Sequence, residues 1–517
     1  MSPTRRGRRP LAATLALAFA LVAAACTAGG GSDTSASGTA TSASTTNAGG
    51  AGTTTEGTDP TPAGTIDWED CAGGFECGTL TVPVDYDDPE AGTIDLGVTR
   101  HLADDPDQRI GVLLVNPGGP GGSAIDLAHQ LPRAGGLGDR FDIVGFDPRG
   151  VGESNPLDCH SHLQELYDAD PTVDSPEDRT EILDTSEAFI DECQQKYGDL
   201  LPFLGTTDVA RDMDEVRKAL GEEQINYLGY SYGTSLGQEY ARLFPTHVRA
   251  MILDGVVDHS PDGITTAEQQ AVGFETAFAS YVAHCKADGC GFGDRDDDAA
   301  AVVDEVIATA ERAPIPSASA DRPATPGVVS LALAQALYSE QLWSQLSRAL
   351  RDALDGDGSG LVELADQYLG REGDGSYDTG FEIYFAVSCL DDSWPRDVDD
   401  FFDASATAEE ETPRFGGAIV IDYVRCALWP ADPKPLEPVP ADTEGLPPIL
   451  VVSTTKDPAT PYLNGVAVAK QIPGAVLVTN EGEGHTIVFQ GKPCIDDIAL
   501  DYLFDLTTPP AGTTCAA

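Results

Sequence analysis

The chain has 517 residues, 41% of them hydrophobic, and sets 85 Asp and Glu against 30 Lys and Arg for a formal net charge of −55. Such a charge repels phosphate backbones, which excludes DNA and RNA as partners; it fits a solvated acidic surface to which a cationic substrate would be drawn. The length exceeds what one hydrophobic core usually serves, so the expectation is one large domain with an inserted subdomain and tails.

Residues 1–25 read as an export signal. Arg5, Arg6, Arg8 and Arg9 form a basic start, and Leu11 to Val22 form an apolar stretch too short to span a bilayer comfortably. Ala23-Ala24-Ala25 leads directly into Cys26, so the segment resembles a bacterial lipoprotein signal in which Cys26 is lipidated and becomes the mature N-terminus. The alternative is an ordinary secretory signal with a chance cysteine. Either way the protein is expected outside the cytoplasm, lipid-anchored to the membrane or secreted. Residues 26–64 are dominated by Ser, Thr, Gly and Ala with no large apolar side chain to bury, a tether that would hold the folded part about 35 Å from its anchor.

Ten cysteines remain beyond Cys26, an even number for an oxidising compartment. Sequence proximity suggests Cys71–Cys77, Cys159–Cys193, Cys285–Cys290, Cys389–Cys426 and Cys494–Cys515. No CxxC pair or His-rich cluster argues for a metal, and no cofactor is expected.

From residue 65 to 258 strand-like runs alternate with helix-like ones. The strand candidates are Gly111–Val115, Phe141–Phe146, Ile225–Leu228 and Ala250–Leu253, and Asp208–Leu220 is amphipathic at helical spacing. The alternation predicts an α/β fold with a mainly parallel sheet and helices on both faces. Residues 259–444 change to a mainly helical pattern, with helices expected over Ala267–Ala287, Ala299–Arg312, Ser330–Leu354 and Leu361–Leu369. Thr265-x-x-Glu268 offers a capping box for the first. Strand character returns at Ile449–Ser453 and Ala475–Val478, within residues 445–517. A helical block inserted between the strands near 253 and 449 is the arrangement of a lid over an active site.

A serine hydroxyl needs a base, an orienting carboxylate and donors for the developing oxyanion before it acts as a nucleophile near neutral pH. Gly229-Tyr-Ser231-Tyr-Gly233 follows one predicted strand and precedes a helix, the setting of a nucleophile elbow in the α/β-hydrolase fold. Gly233-Thr-Ser235-Leu-Gly237 matches the same pattern, but Ser235 falls one turn into that helix, behind the nucleophile. The backbone N–H of Tyr232 is one expected oxyanion donor. Asn116-Pro-Gly-Gly-Pro-Gly-Gly122, after an earlier strand, supplies the other through Gly119, with Gly118 next. Among eight histidines, His485 follows the last apolar strand in a Gly-rich loop that can reach the elbow. Asp457 and Asp254 both follow strands at geometrically suitable places; the chain order Ser231, Asp457, His485 favours Asp457.

These residues resemble the tripeptidyl-aminopeptidase-like branch of the proline iminopeptidase family, of actinobacterial type. The matching stretches are Asn116–Ser123, Gly145-Phe-Asp-Pro-Arg-Gly-Val-Gly-Glu-Ser154, Tyr227–Thr234, Leu253–Val257 and Asp457-Pro-Ala-Thr-Pro461, and the C-terminal part holding Cys494 and Cys515 looks like the family's closing segment. The resemblance implies a serine exopeptidase that releases short peptides, often tripeptides, from free N-termini, with the lid restricting access. Such an enzyme must recognise the substrate ammonium, and Asp391 and Asp392 in the insertion are the candidates, Asp391 first. Thr460 matches the family's loop and is placed to help position Asp457. The competing functions are an esterase or lipase with the same triad, and a non-catalytic surface lipoprotein. Asp355-Gly-Asp-Gly-Ser-Gly360 with Asp366 loosely follows a calcium loop, but its twelfth position is Asp rather than Glu, and it reads better as a polar turn between lid helices.

Overall fold

The computed structural model describes residues 64–516 except 174, 320, 374 and 379. The signal, Cys26 and all but the last residue of the tether lie outside the described residues.

A ten-stranded sheet forms the centre, in the order β1-β2-β3-β5-β4-β6-β7-β8-β9-β10. Its strands are β1 (Glu69–Asp70), β2 (Glu76–Pro83), β3 (Thr93–His101), β4 (Gly111–Asn116), β5 (Phe141–Phe146), β6 (Ile225–Tyr230), β7 (Val248–Asp254), β8 (Leu450–Lys456), β9 (Val476–Glu483) and β10 (Thr513–Ala516). From β5 across to β10 every pairing is parallel, whereas β1, β2 and β3 attach as an antiparallel edge. The central strands are apolar throughout because both faces are covered. In β4, Val112 and Leu114 join one core while Leu113 and Val115 join the core on the opposite face, the period of two that a strand imposes. The helix predicted over 208–220 runs Thr206–Ala219 and buries Val209, Met213 and Val216 against the sheet.

Between β7 and β8 the described chain passes through nine α-helices, from Gly263–Asp288 to Val424–Leu428. The first five share a core of their own, with Phe278, Tyr281, Val303, Leu333 and Leu350 within it. The last four pack with residues 151–204, burying Phe385, Leu390 and Val424 against Leu163, Phe189 and Leu201. Two local expectations are corrected. The first helix starts at Gly263 and is capped by Asp262, whose carboxylate accepts the Thr265 N–H, rather than by a box at Thr265 and Glu268. The run 330–354 is two helices, Pro326–Leu337 and Trp343–Leu354, broken where the Ser339 hydroxyl accepts the Gln341 N–H and opens a short 3-10 turn.

The motif Gly145–Ser154 is built around one buried cation. Arg149 is 0% exposed and donates to both oxygens of the equally buried Asp212, at 2.7 and 2.6 Å, and to the carbonyls of Pro83, Val84 and Phe203. Tyr86 Oη donates to the same carboxylate at 2.7 Å. The turn after β5 is thereby tied to β2 and to the helix Thr206–Ala219.

Five disulfides join Cys71–Cys77, Cys159–Cys193, Cys285–Cys290, Cys389–Cys426 and Cys494–Cys515, the pairs that proximity suggests. They suit an oxidising, extracytoplasmic compartment. Among the described residues no helix is long and apolar enough to cross a membrane. In the acidic turn at 355–366, Asp357 accepts the N–H of Ser359, and Asp366 pairs with Arg322.

Candidate active site

The elbow sits where β6 ends and the helix Tyr232–Leu243 begins. Ser231 has φ 53 and ψ −125, a left-handed backbone that a non-glycine residue adopts only under constraint. The constraint is visible: the Ser231 N–H donates to Asp254 O at 2.9 Å, and the Thr234 N–H and hydroxyl both donate to Ser231 O. Glycines make the turn possible, since a Cβ on Gly229 would lie 2.4 Å from Gly233 O and one on Gly233 2.7 Å from Asn116 O. Ser231 is half-buried, whereas Ser235, the alternative, is 2% exposed inside the helix.

Asp457 and His485 stand together beyond β8 and β9. His485 Nδ1 is 2.9 Å from both carboxylate oxygens of Asp457. The carboxylate is fixed by its own loop, accepting the N–H groups of Ala459 and Thr460 at 2.9 Å and the Thr460 hydroxyl at 3.1 Å. Burial works against a charged His485, the adjacent Asp457 carboxylate favours it, and the balance raises the imidazole above its ordinary 6.5. His485 Nε2 is buried and makes no hydrogen bond among the described residues. The ring rests on Gly255, where a Cβ would come within 3.0 Å of Cε1. Ser231 and His485 therefore flank the same pair at the end of β7, Asp254 and Gly255.

Asp254 occupies a different position from Asp457. Its Oδ2 accepts the N–H groups of Ile487 and Val488 at 2.6 and 2.7 Å, just after His485, while Oδ1 has no partner among the described residues. Burial pushes this carboxyl up to about 6. It anchors the histidine loop without touching the imidazole nitrogens. The loop's other anchor comes from the insertion: the His485 N–H donates to Tyr338 O at 3.1 Å, and the Tyr338 ring meets the imidazole edge-on at 5.4 Å. No local pattern marks Tyr338, because its role depends on where the helix breaks.

The loop after β4 reaches the elbow directly. A Cβ on Gly118, at φ 94, would sit 2.5 Å from Tyr230 O and 2.8 Å from Ser231 Cβ. The Gly118 N–H, however, donates to Asn116 Oδ1 at 2.9 Å, so Gly118 is not free as an oxyanion donor and Gly119 stands as the candidate in this loop. Tyr232 opens its helix, where its N–H has no intrahelical acceptor. The helix Gly380–Asp391 covers this loop: a Cβ on Gly121 would meet Gly380 O and Ile383 Cγ2, each at 2.5 Å.

The two acidic candidates have different surroundings. Asp391 is 6% exposed and its Oδ1 accepts the Thr206 N–H at 3.0 Å, capping the helix whose own N-cap residue is Gly205. Thr206 Oγ1 in turn meets Tyr232 Oη at 2.5 Å. Asp392 is half-buried, and burial pushes its carboxyl up to about 7.

The residues 111–492 match the model of the α/β hydrolase fold. The chain belongs to the α/β-hydrolase fold family. It is a serine hydrolase whose relatives include "Serine protease Hip1" of Mycobacterium tuberculosis, 40% identical over 481 residues, 87% of this chain and 91% of that protein. "Carboxylesterase B" of the same species is 39% identical over 460 residues, 85% of this chain and 86% of that protein. "Tripeptidyl aminopeptidase" of Streptomyces lividans is 33% identical over 474 residues, 87% of this chain and 86% of that protein.

Proposed function

We propose that this α/β-hydrolase is a serine exopeptidase that releases short peptides, tripeptides among them, from free N-termini, and that it works outside the cytoplasm on a lipid anchor at Cys26. The observation that carries the reading is the strained Ser231 held at Asp254, next to the Gly255 on which the ring of a histidine rests, its Nδ1 held by Asp457 and its Nε2 unspent. Two relatives named as a protease and an aminopeptidase support peptides as the substrate class.

In the mechanism, His485 Nε2 takes the Ser231 proton as Oγ attacks the scissile carbonyl. Asp457 holds the proton on Nδ1 and stabilises the imidazolium that forms. The N–H groups of Tyr232 and Gly119 receive the oxyanion. His485 then protonates the leaving amine, and a water deprotonated by the same nitrogen releases the acyl group. Asp392, with Asp391 behind it, pairs with the substrate ammonium, and the helix Gly380–Asp391 over the Gly118–Gly122 loop closes the site to internal segments of longer chains.

The base must be neutral to act, and its raised pKa places the acid limb of kcat/KM above pH 6.5, with activity rising through it as pH increases. A pH–rate profile of the wild type checks this; a limb at or below 6.5 contradicts it.

Substrate class is tested on tripeptide and tetrapeptide p-nitroanilides, free and N-acetylated, beside p-nitrophenyl esters. The free peptides should be cleaved, N-acetylation should lower kcat/KM by about 100-fold or more through the lost charge-assisted contact, and Ser231→Ala should be inactive on both. Turnover of esters alone would favour the esterase reading that the relative named a carboxylesterase suggests.

A further inference from the structure

Six aromatic rings of the insertion form one continuous stripe that starts at His485. Tyr338 lies 5.4 Å from the imidazole, and Tyr368 lies 6.1 Å from Tyr338. Phe381 follows at 6.1 Å, Tyr384 at another 6.1 Å, Tyr423 at 6.2 Å and Trp394 at 4.6 Å, the last pair stacked. The far end of the stripe, Trp394, lies two residues after Asp392 in the chain.

The rings come from separate places in the chain. Tyr338 follows the helix Pro326–Leu337, Tyr368 ends Ser359–Tyr368, Phe381 and Tyr384 are on Gly380–Asp391, Tyr423 separates two short helices, and Trp394 is in a loop. No single amphipathic helix produces such a line. Simple core packing does not account for it either: Tyr338, Tyr368, Phe381, Tyr384 and Tyr423 are all half-buried. The rings behind them are fully buried. Phe274 backs Tyr338 at 5.7 Å, Tyr167 backs Phe381 at 4.8 Å, Phe385 backs Tyr384 at 5.3 Å and Phe401 backs Trp394 at 5.9 Å. The outer rings, the buried Trp394 apart, are partly exposed over a layer fixed in the core, as in a preorganised binding wall.

The polar atoms of the wall are already used. The Tyr384 and Tyr423 hydroxyls bond each other, as do those of Tyr338 and Tyr368. With its hydroxyls paired, the wall offers ring surface rather than hydrogen-bonding groups, an apolar strip in a chain of net charge −55.

We infer that this stripe is the wall on which the first side chains of the substrate peptide lie, and that it selects ring-bearing or bulky apolar residues. The inference rests on the peptidase reading. The stripe starts at the base, so a peptide whose scissile carbonyl lies at Ser231 passes the rings next to His485.

The test uses full-length enzyme and free-amine tripeptide p-nitroanilides in which Phe replaces Ala at each position in turn. Wild type should cleave at least one Phe peptide with kcat/KM about tenfold or more above Ala-Ala-Ala. Tyr384→Ala and Tyr423→Ala should each reduce that ratio to within about threefold, while Tyr423→Phe, which keeps the ring, should preserve it. A fluorophosphonate probe should label Ser231 in every variant at the wild-type rate, which separates selectivity from chemistry. If Tyr423→Ala is not labelled, Tyr423→Leu takes its place. Phe peptides cleaved no faster than Ala-Ala-Ala by wild type, or a preference that survives the loss of both rings, would overturn the inference with the peptidase reading intact. Labelling of Ser231 without cleavage of any peptide would overturn both.

Discussion

Asp457→Asn should lower kcat by about 10⁴-fold, while Asp254→Asn should leave turnover within about threefold of wild type. Both carboxylates are buried at strand ends beside the histidine loop, and they differ in what they hold. Asp457 accepts from His485 Nδ1; an amide there favours the wrong tautomer and gives no charge to stabilise the imidazolium. Asp254 holds two backbone N–H groups on one oxygen, which an amide oxygen can replace, and its other oxygen has no partner. The sign of its pKa shift points the same way. A carboxyl raised to about 6 in the folded protein binds its proton more tightly there than when unfolded, so stability falls as pH rises through 4 to 6 and the ionised group is a cost above that range. At pH 8 Asp254→Asn should therefore show a Tm at or above wild type. Asp254→Ala should be destabilised by about 2–5 kcal/mol, since two buried N–H groups lose their acceptor. Steady-state kinetics with thermal melts of the three variants check the assignment; a 10⁴-fold loss in Asp254→Asn with a mild Asp457→Asn would exchange the two roles.

The second large effect concerns stability. Arg149→Met should cost about 3–5 kcal/mol, because Asp212 remains buried with its countercharge gone. Arg149 also satisfies three carbonyls, so the loss should loosen the turn after β5 against β2. The double variant Arg149→Met with Asp212→Leu removes both charges together and should recover part of the loss, which urea unfolding of the two single variants and the double would show. Equal stability of Arg149→Met and wild type would mean that the pair is spectator to folding.

The parallel half of the sheet and the elbow were legible because they depend on local sequence. Buried strands such as Gly111–Asn116 are continuous apolar runs, and a strained serine needs small residues on both sides. Strands β1 to β3 were not legible, since their register is set by pairing across a sheet edge rather than by a run of apolar residues. The four helices from Gly380 to Leu428 escaped as well. Gly380–Asp391 is buried over most of its circumference, so it has little amphipathic pattern to read. In the loop after β4, a glycine's steric role does not reveal that Asn116 takes the N–H of Gly118, the candidate ranked after Gly119. That Asp391 caps a helix about 185 positions earlier in the chain is likewise a partnership that no local motif records. Tyr338 could not be seen at all, since what brings it to His485 is the break between two helices that share one apolar run.

The most direct measurement is reaction of the full-length protein with a fluorophosphonate probe, followed by proteolysis and peptide mapping. A single adduct on Ser231, absent in Ser231→Ala and greatly slowed in His485→Ala, is the predicted result. An adduct on Ser235, or none on either serine in a folded protein, would contradict the account.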